Sequence, residues 1–257
     1  MSENLLIGRS LATDRFREML AGSRRERILR VTGDEKMGKS RLMREYRHIA
    51  EEEFRAQSAL IDLRSQLKKK NQGNVLDTVC QQIGLTSFPQ YRTVRDEIST
   101  QNIVQVRRVT QLFSRIVIRN ESDEDVQENR RRRLTEAFLQ DLKAMPSQLL
   151  ILLLFDSIEQ ADTQVQVWIN EQLLLGLSRL LNVYTVIAGR RLPEPSAAWQ
   201  DLSIDYELPP VKVEDYRAFC RSIGIAPGQG TIEAFHRAFE GKPGLFVEYA
   251  PKLGGGV

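Results

Sequence analysis

The chain carries two cysteines and two histidines in 257 residues. Cys80 and Cys220 lie far apart in sequence, which excludes a disulfide framework of closely spaced pairs and fits two reduced core thiols. His48 and His236 are too few for a zinc site, so no structural metal is expected. Long apolar runs are also missing: Leu149 to Phe155 is the longest, far too short to cross a bilayer. The opening Met1-Ser2-Glu3-Asn4 has neither a basic leader nor an apolar segment after it of the secretory kind. A cytoplasmic protein without a membrane partner is therefore expected. Nor does one sign of charge dominate. Lysine and arginine total 37 against 34 acidic residues, a net charge of +3 from interspersed side chains, which does not by itself call for nucleic acid. With 41% hydrophobic residues the chain can bury a sizeable core as one large or two modest domains.

What is present is concentrated in one stretch. Gly33-Asp34-Glu35-Lys36-Met37-Gly38-Lys39-Ser40 fits G-x-x-x-x-G-K-[ST]. It follows the strand-like Ile28 to Thr32 and opens a segment in which Leu42, Met43, Tyr46, Ile49, Ala50 and Phe54 recur at helical spacing. That is the setting of a phosphate-binding loop. Its glycines let backbone N–H groups turn inward on phosphates, and the following helix points its positive end at them. Lys39 adds a mobile cation near the β and γ oxygens, and Ser40 would hold Mg²⁺. ATP or ADP with Mg²⁺ is the expected ligand.

Around this loop the patterning alternates strands and helices. A helix is expected to start near Thr13 and Asp14 and close at Gly22. Ser58 to Leu63 reads as a strand, and 75 to 145 as mostly helical, with Leu112, Phe113, Ile116 and Val117 among its buried positions. Phe88-Pro89 breaks that helical region, and Ser122-x-x-Asp125 resembles a capping box. Leu149 to Phe155 has the continuous apolar character of a parallel strand covered on both faces, and Val183 to Arg190 repeats it. Between them Val165, Trp168, Ile169, Leu173 and Leu177 fit a crossover helix. Ser203 to Leu208 supplies a last strand before Pro209-Pro210, and the remainder is helical. The expected architecture is α/β: a P-loop NTPase core over 1–208, with a parallel five-stranded sheet flanked by helices and a helical insertion at about 75–145, then a helical lid over 209–257.

Three further positions carry candidate chemistry. Asp156 ends the apolar strand, where open parallel sheets bind ligands, and is placed to complete a Mg²⁺ shell opposite Ser40. Hydrolysis needs a second carboxylate to deprotonate water, yet the neighbour of Asp156 is Ser157. Glu159 either turns toward the γ-phosphate as base or serves as the first-turn acid of the next helix. Arg190, with Arg191 as its competitor, ends the following strand and is placed to read the γ-phosphate. Lys68 to Lys70 and Arg130 to Arg133 are basic clusters with two readings, contacts to a phosphate backbone or solvated charge, and the second ranks first.

Taken in order, these motifs resemble the STAND branch of the AAA+-related P-loop ATPases, the signalling NTPases that include NACHT and NB-ARC proteins. Ile7-Gly8-Arg9 is similar to the hydrophobic-Gly-Arg motif that lies near adenine, Gly33 to Ser40 to the Walker A loop, and Asp156 to Walker B. Ala188-Gly189-Arg190 resembles the sensor arginine, and Gly241-Lys242-Pro243 the GxP motif whose Pro243-like residue packs on adenine. The resemblance implies an ATP-binding switch with slow hydrolysis, in which the lid position controls self-association or an effector outside this sequence. The chain departs from the pattern at Ser157, where a second acid is usual, and in the long stretch between loop and strand acid. Two alternatives stand beside the switch: a nucleotide-binding regulator without turnover, and an AAA+-like ATPase that handles DNA.

Overall fold

The computed structural model describes residues 6–65, 71–111, 123–226, 228 and 230–249. The lysines at 68–70, the apolar positions at 112–117, Ser122 and the segment from Pro251 onward lie outside the described residues. Five strands form one sheet: β1 (Ile28–Thr32), β2 (Gln57–Asp62), β3 (Ile151–Asp156), β4 (Val183–Gly189) and β5 (Ser203–Glu207). Their order is β2-β3-β4-β1-β5 and every pairing is parallel. The register lines up Asp62 with Asp156, Asp156 with Ala188, and Thr32 with both Gly189 and Glu207. All five strands therefore end along one rim, where the segments carrying polar chemistry begin.

Parallel strands need helical crossovers, and these cover both faces. Leu29, Val31, Leu152, Leu154, Val186 and Ala188 pack against α1 (Ser10–Leu20) and α2 (Lys39–Phe54). The alternate residues Ile28, Ile151, Leu153, Phe155 and Ile187 face the other layer. That layer comprises α3 (Gln72–Ile83), α5 (Asp123–Ala144), α6 (Thr163–Trp168) and α7 (Leu174–Leu177). β3 is buried along its whole length, which is why its sequence is a continuous apolar run. α1 and α2 are locked together where Phe16 stacks on Tyr46 at 4.2 Å, with the Tyr46 hydroxyl donating to Ala12 O at 3.2 Å.

Three details differ from the sequence expectation. α1 starts at Ser10 and not near Thr13; the Thr13 hydroxyl donates back to Ser10 O at 2.8 Å, so it is satisfied inside the first turn. The crossover between β3 and β4 is interrupted by a π turn at Ile169–Leu173, in which Asn170 O accepts the indole N–H of buried Trp199 at 2.9 Å. The helical insertion contains α4 (Pro89–Gln111), whose amino end is capped from another helix: buried Asp141 of α5 accepts Gln90 N at 3.2 Å and Tyr91 N at 2.8 Å. The carboxylate satisfies first-turn amides that have no partner within their own helix.

After β5 the chain builds α8 (Val213–Ser222), α9 (Thr231–Ala238) and α10 (Pro243–Tyr249) around a separate apolar cluster of Ile7, Val211, Tyr216, Phe219, Cys220, Ile232 and Phe246. Ile7, from the chain's start, is thus part of this helical body. Tyr216 stacks on Phe246 at 4.1 Å. Cys80 and Cys220 are both buried, and burial pushes both thiols above their ordinary range. No helix among the described residues is long and apolar enough to cross a membrane.

Asp141→Ala strips two buried amides of their acceptor, and such unsatisfied groups cost about 1–3 kcal/mol. The expected result is a lower urea midpoint with an unchanged slope. An unchanged midpoint would show that water replaces the carboxylate at no cost.

Candidate functional site

The loop between β1 and α2 turns on Gly38, whose φ of 89° lies in the left-handed region and which serves as N-cap without a side-chain cap bond. A side chain there would strain the turn, and Gly38 lets α2 present its first amides to the rim of the sheet. α2 runs for 16 residues, so its amino end carries the partial positive charge of a full helix dipole. Lys39 bends back over the loop and donates to Gly33 O at 2.5 Å and Asp34 O at 2.7 Å. Burial lowers its pKa, an effect opposed by the charges of Glu159 and Asp156. Lys39 and Asp156 thus sit within each other's field.

Asp156, only 4% exposed, lies behind Ser40, whose hydroxyl donates to its carboxylate. Burial raises the Asp156 pKa, and the bond from Ser40 partly offsets that rise. Asp62, its neighbour across the register, pushes in the same direction as burial, while Arg64 opposes it. Ser157 follows in left-handed conformation at φ 63°, its hydroxyl donating to Asp156 Oδ1 at 3.3 Å. The chain then makes a tight turn at Ile158–Gln160 that aims Glu159 back at the cleft. Glu159 therefore does not sit in the first turn of α6. Its Oε1 accepts Arg190 Nε at 3.3 Å, and its Oε2 is buried with no hydrogen-bond partner among the described residues. Arg190 also lies 3.9 Å from Glu35.

Lys39, Ser40, Ser157, Glu159 and Arg190 line a cleft of about 550 Å³, with Asp156 behind Ser40 and not itself among the lining residues. Its lining also includes the apolar Ile7, Met37, Pro243 and Val247. Arg9, predicted as a ligand contact, also lines the cleft, but its guanidinium is engaged by the protein itself. It donates to Met37 O at 2.8 Å and Pro209 O at 2.7 Å, tying the loop to the segment that leads into the helical body. Burial lowers its pKa. Gly8 sits against the Asp215 carboxylate, which accepts Lys212 N at 2.8 Å. Asp34 contributes its carbonyl to Lys39. Of the two candidate arginines, Arg190 lines the cleft. The basic run of α5 is spread over acidic neighbours, Arg131 near Glu128 at 4.0 Å, Arg132 near Glu136 at 3.8 Å and Arg133 on Glu97 at 2.7 Å.

Sequence reasoning missed four groups here. Arg41 and Arg44 on α2 and Arg64 after β2 also line the cleft, as does Glu248 on α10. Arg64 is held on Asp62 at 2.8 Å. Its one legible sign was its place two residues past a strand end, the same rim position that marked Asp156.

The donor set fits a nucleoside polyphosphate with a hard divalent cation. An uncapped helix end, the Lys39 ammonium and Arg190 suit phosphate oxygens, and the paired oxygens of Ser40 and Asp156 suit Mg²⁺. The fold is α/β, a parallel five-stranded sheet flanked by helices with a helical C-terminal region. No family model and no curated protein matches the chain in sequence. Among solved structures it is similar to a DNA replication initiation factor (13% identity, 98% of this chain, 65% of the other, TM-score 0.49). It is similar also to AMPPCP-bound DnaA from Aquifex aeolicus (14%, 95% and 63%, TM-score 0.49). A third is the signal transduction ATPase with numerous domains and a tetratricopeptide repeat sensor from Pyrococcus horikoshii (13%, 94% and 29%, TM-score 0.49). The chain spans less than two thirds of each. Function is decided by the residues of the cleft and not by such likeness.

Asp156 supplies a test of the site's electrostatics. Its folded pKa lies above its unfolded one, so at neutral pH its buried charge subtracts stability, and as pH falls through the folded value the native state takes up a proton and the penalty fades. Asp156→Asn is therefore expected to melt higher than wild type without ligand at about pH 7, with the gap closing toward about pH 4. A gap that stays constant with pH would show that the carboxylate's charge is not the cause.

Proposed function

We propose that this chain is an ATP-binding switch module of the STAND kind within the AAA+-related ATPases, with a nucleotide core over 1–208 and a lid over 209–257. One observation carries the reading: a single cleft joins the loop, Ser40 and Glu159 from the sheet's rim to Pro243 and Val247 from the helical body. A ligand filling it touches both bodies, so its affinity depends on lid position, and lid position responds to ligand in return. Lys39 would exchange its loop carbonyls for phosphate oxygens, and the α2 amides would take the same anion. Ser40 and Asp156 would hold Mg²⁺, which when bound neutralises charge building on the phosphates. Arg190 would leave Glu159 for the terminal phosphate. The purine would lie toward Ile7, Met37 and Pro243. The output, by self-association or through an effector, belongs to this same reading.

A regulator that binds nucleotide without turnover is the second reading, favoured by one arrangement. Ser157 occupies the place of a second acid, and Glu159, the carboxylate that comes nearest in its stead, is bound to Arg190. A held base is a poor base.

Calorimetric titration with ATP, ADP and GTP in the presence of Mg²⁺ tests the first reading. Lys39→Ala is expected to weaken binding about 10- to 100-fold, the worth of a charge-assisted hydrogen bond. Wild-type protein that binds none of the three would end the proposal. Phosphate release then separates the two readings: slow wild-type turnover that Ser157→Asp raises about tenfold or more indicates a muted ATPase. Brisk wild-type turnover removes the regulator.

A further inference from the structure

Lys36 has no assigned task in phosphate binding beyond its amide, yet it is the loop residue most engaged with the helical body. Its carbonyl accepts the Gly244 N–H of α10 at 2.8 Å. Its ammonium pairs with Glu248, one turn further along the same helix. Its backbone sits at φ 63°, a left-handed conformation that a lysine adopts only under strain. Gly244 is the only side-chain-free residue of its turn, and a Cβ there would lie 2.7 Å from Lys36 O. Beside these contacts Pro243 Cγ lies 3.6 Å from where a Cβ on Gly38 would stand. A backbone bond, an ion pair and a close approach thus converge on one residue of the phosphate loop.

We propose that Lys36 is a positioning residue that latches the lid directly to the phosphate loop, so that opening the lid and releasing nucleotide are one event governed by the Lys36–Glu248 pair. The nucleotide part of this statement rests on the function proposed above; the latch itself does not. An ammonium and a carboxylate that are 42% and 52% exposed hold each other weakly, which suits a catch that must open. The Gly244 N–H to Lys36 O bond sets the registration. When α10 moves away, the Lys36 carbonyl loses its acceptor role and the strained loop residue is free to relax, changing the direction of amides that face the ligand. Added salt screens the ion pair and leaves the backbone bond, so release should quicken with ionic strength.

Hydrogen exchange of the 242–249 segment in nucleotide-free protein reads the latch on its own, and dissociation of a fluorescent ATP analogue reads its consequence. Lys36→Ala and Glu248→Ala are each expected to speed exchange of that segment about two- to fivefold, the measured range for exposed ion pairs, and to speed release by a similar factor. The charge-swapped Lys36→Glu/Glu248→Lys protein is expected to return both to near wild type. Gly244→Ala places a methyl against Lys36 O and should speed both more than either single change, although alanine favours helix over glycine. Unchanged exchange in Lys36→Ala, Glu248→Ala and Gly244→Ala would overturn the latch, and so would a swapped protein no better than the single variants. If wild type binds no nucleotide, the proposed function falls while the exchange result still decides the latch.

Discussion

The amino end of α2 opens onto a cleft without a side-chain cap, and positive charge gathers around it. A helix end of that kind draws anions, and cations placed near it repel one another. The rest of the structure manages this excess. Lys39 is folded onto two loop carbonyls, Arg9 bridges two more, Arg190 rests on Glu159 and Lys36 on Glu248. Each of these cations is held by an oxygen of the protein itself. Asp156, buried on the same rim, is pushed toward its neutral form by desolvation, which Ser40 and Arg64 partly oppose.

How much of this was written in the sequence depends on the range of the interaction. β3 and β4 were legible because each is a short, nearly continuous apolar run, and the loop because its two glycines and Lys39-Ser40 stand at fixed spacing. The gathering of Ser40, Asp156 and Arg190 along one rim followed, since the loop, β3 and β4 that carry them all lead to the same edge of a parallel sheet. The pairing order did not follow: nothing local says that β4 lies between β1 and β3. The π turn at Ile169 escaped for the same reason, as it answers to Trp199, thirty residues on. Thr13 misled because a hydroxyl near a helix start caps or back-bonds with equal ease. Asp141 gave no sign in the sequence, because the amides it accepts begin α4 some 50 residues earlier.

The two departures from the resembled family also look different in three dimensions. The serine after Asp156 is not a simple loss, because the left-handed turn at Ser157 brings Glu159 around to the cleft. A carboxylate is present three positions later in the chain, facing Lys39 and Arg190. The long stretch between β2 and β3 likewise has a defined job in the described part, for α3 and α5 supply Val75, Val79, Phe138 and Leu142 to one whole face of the sheet. It is a structural layer as well as an insertion.

The sheet order has a consequence for how the molecule comes into being. β1, on which the phosphate loop is built, pairs only with β4 and β5. A nascent chain leaving the ribosome presents β1 before the other strands, yet its neighbours at Val183 and Ser203 emerge only after β2, β3 and the helices between them have been made. Closing so long a span carries an entropy cost that no local contact repays in advance. The loop therefore acquires its shape late, and a translation product that stops short of β4 leaves β1 with two open edges, a form exposed to aggregation.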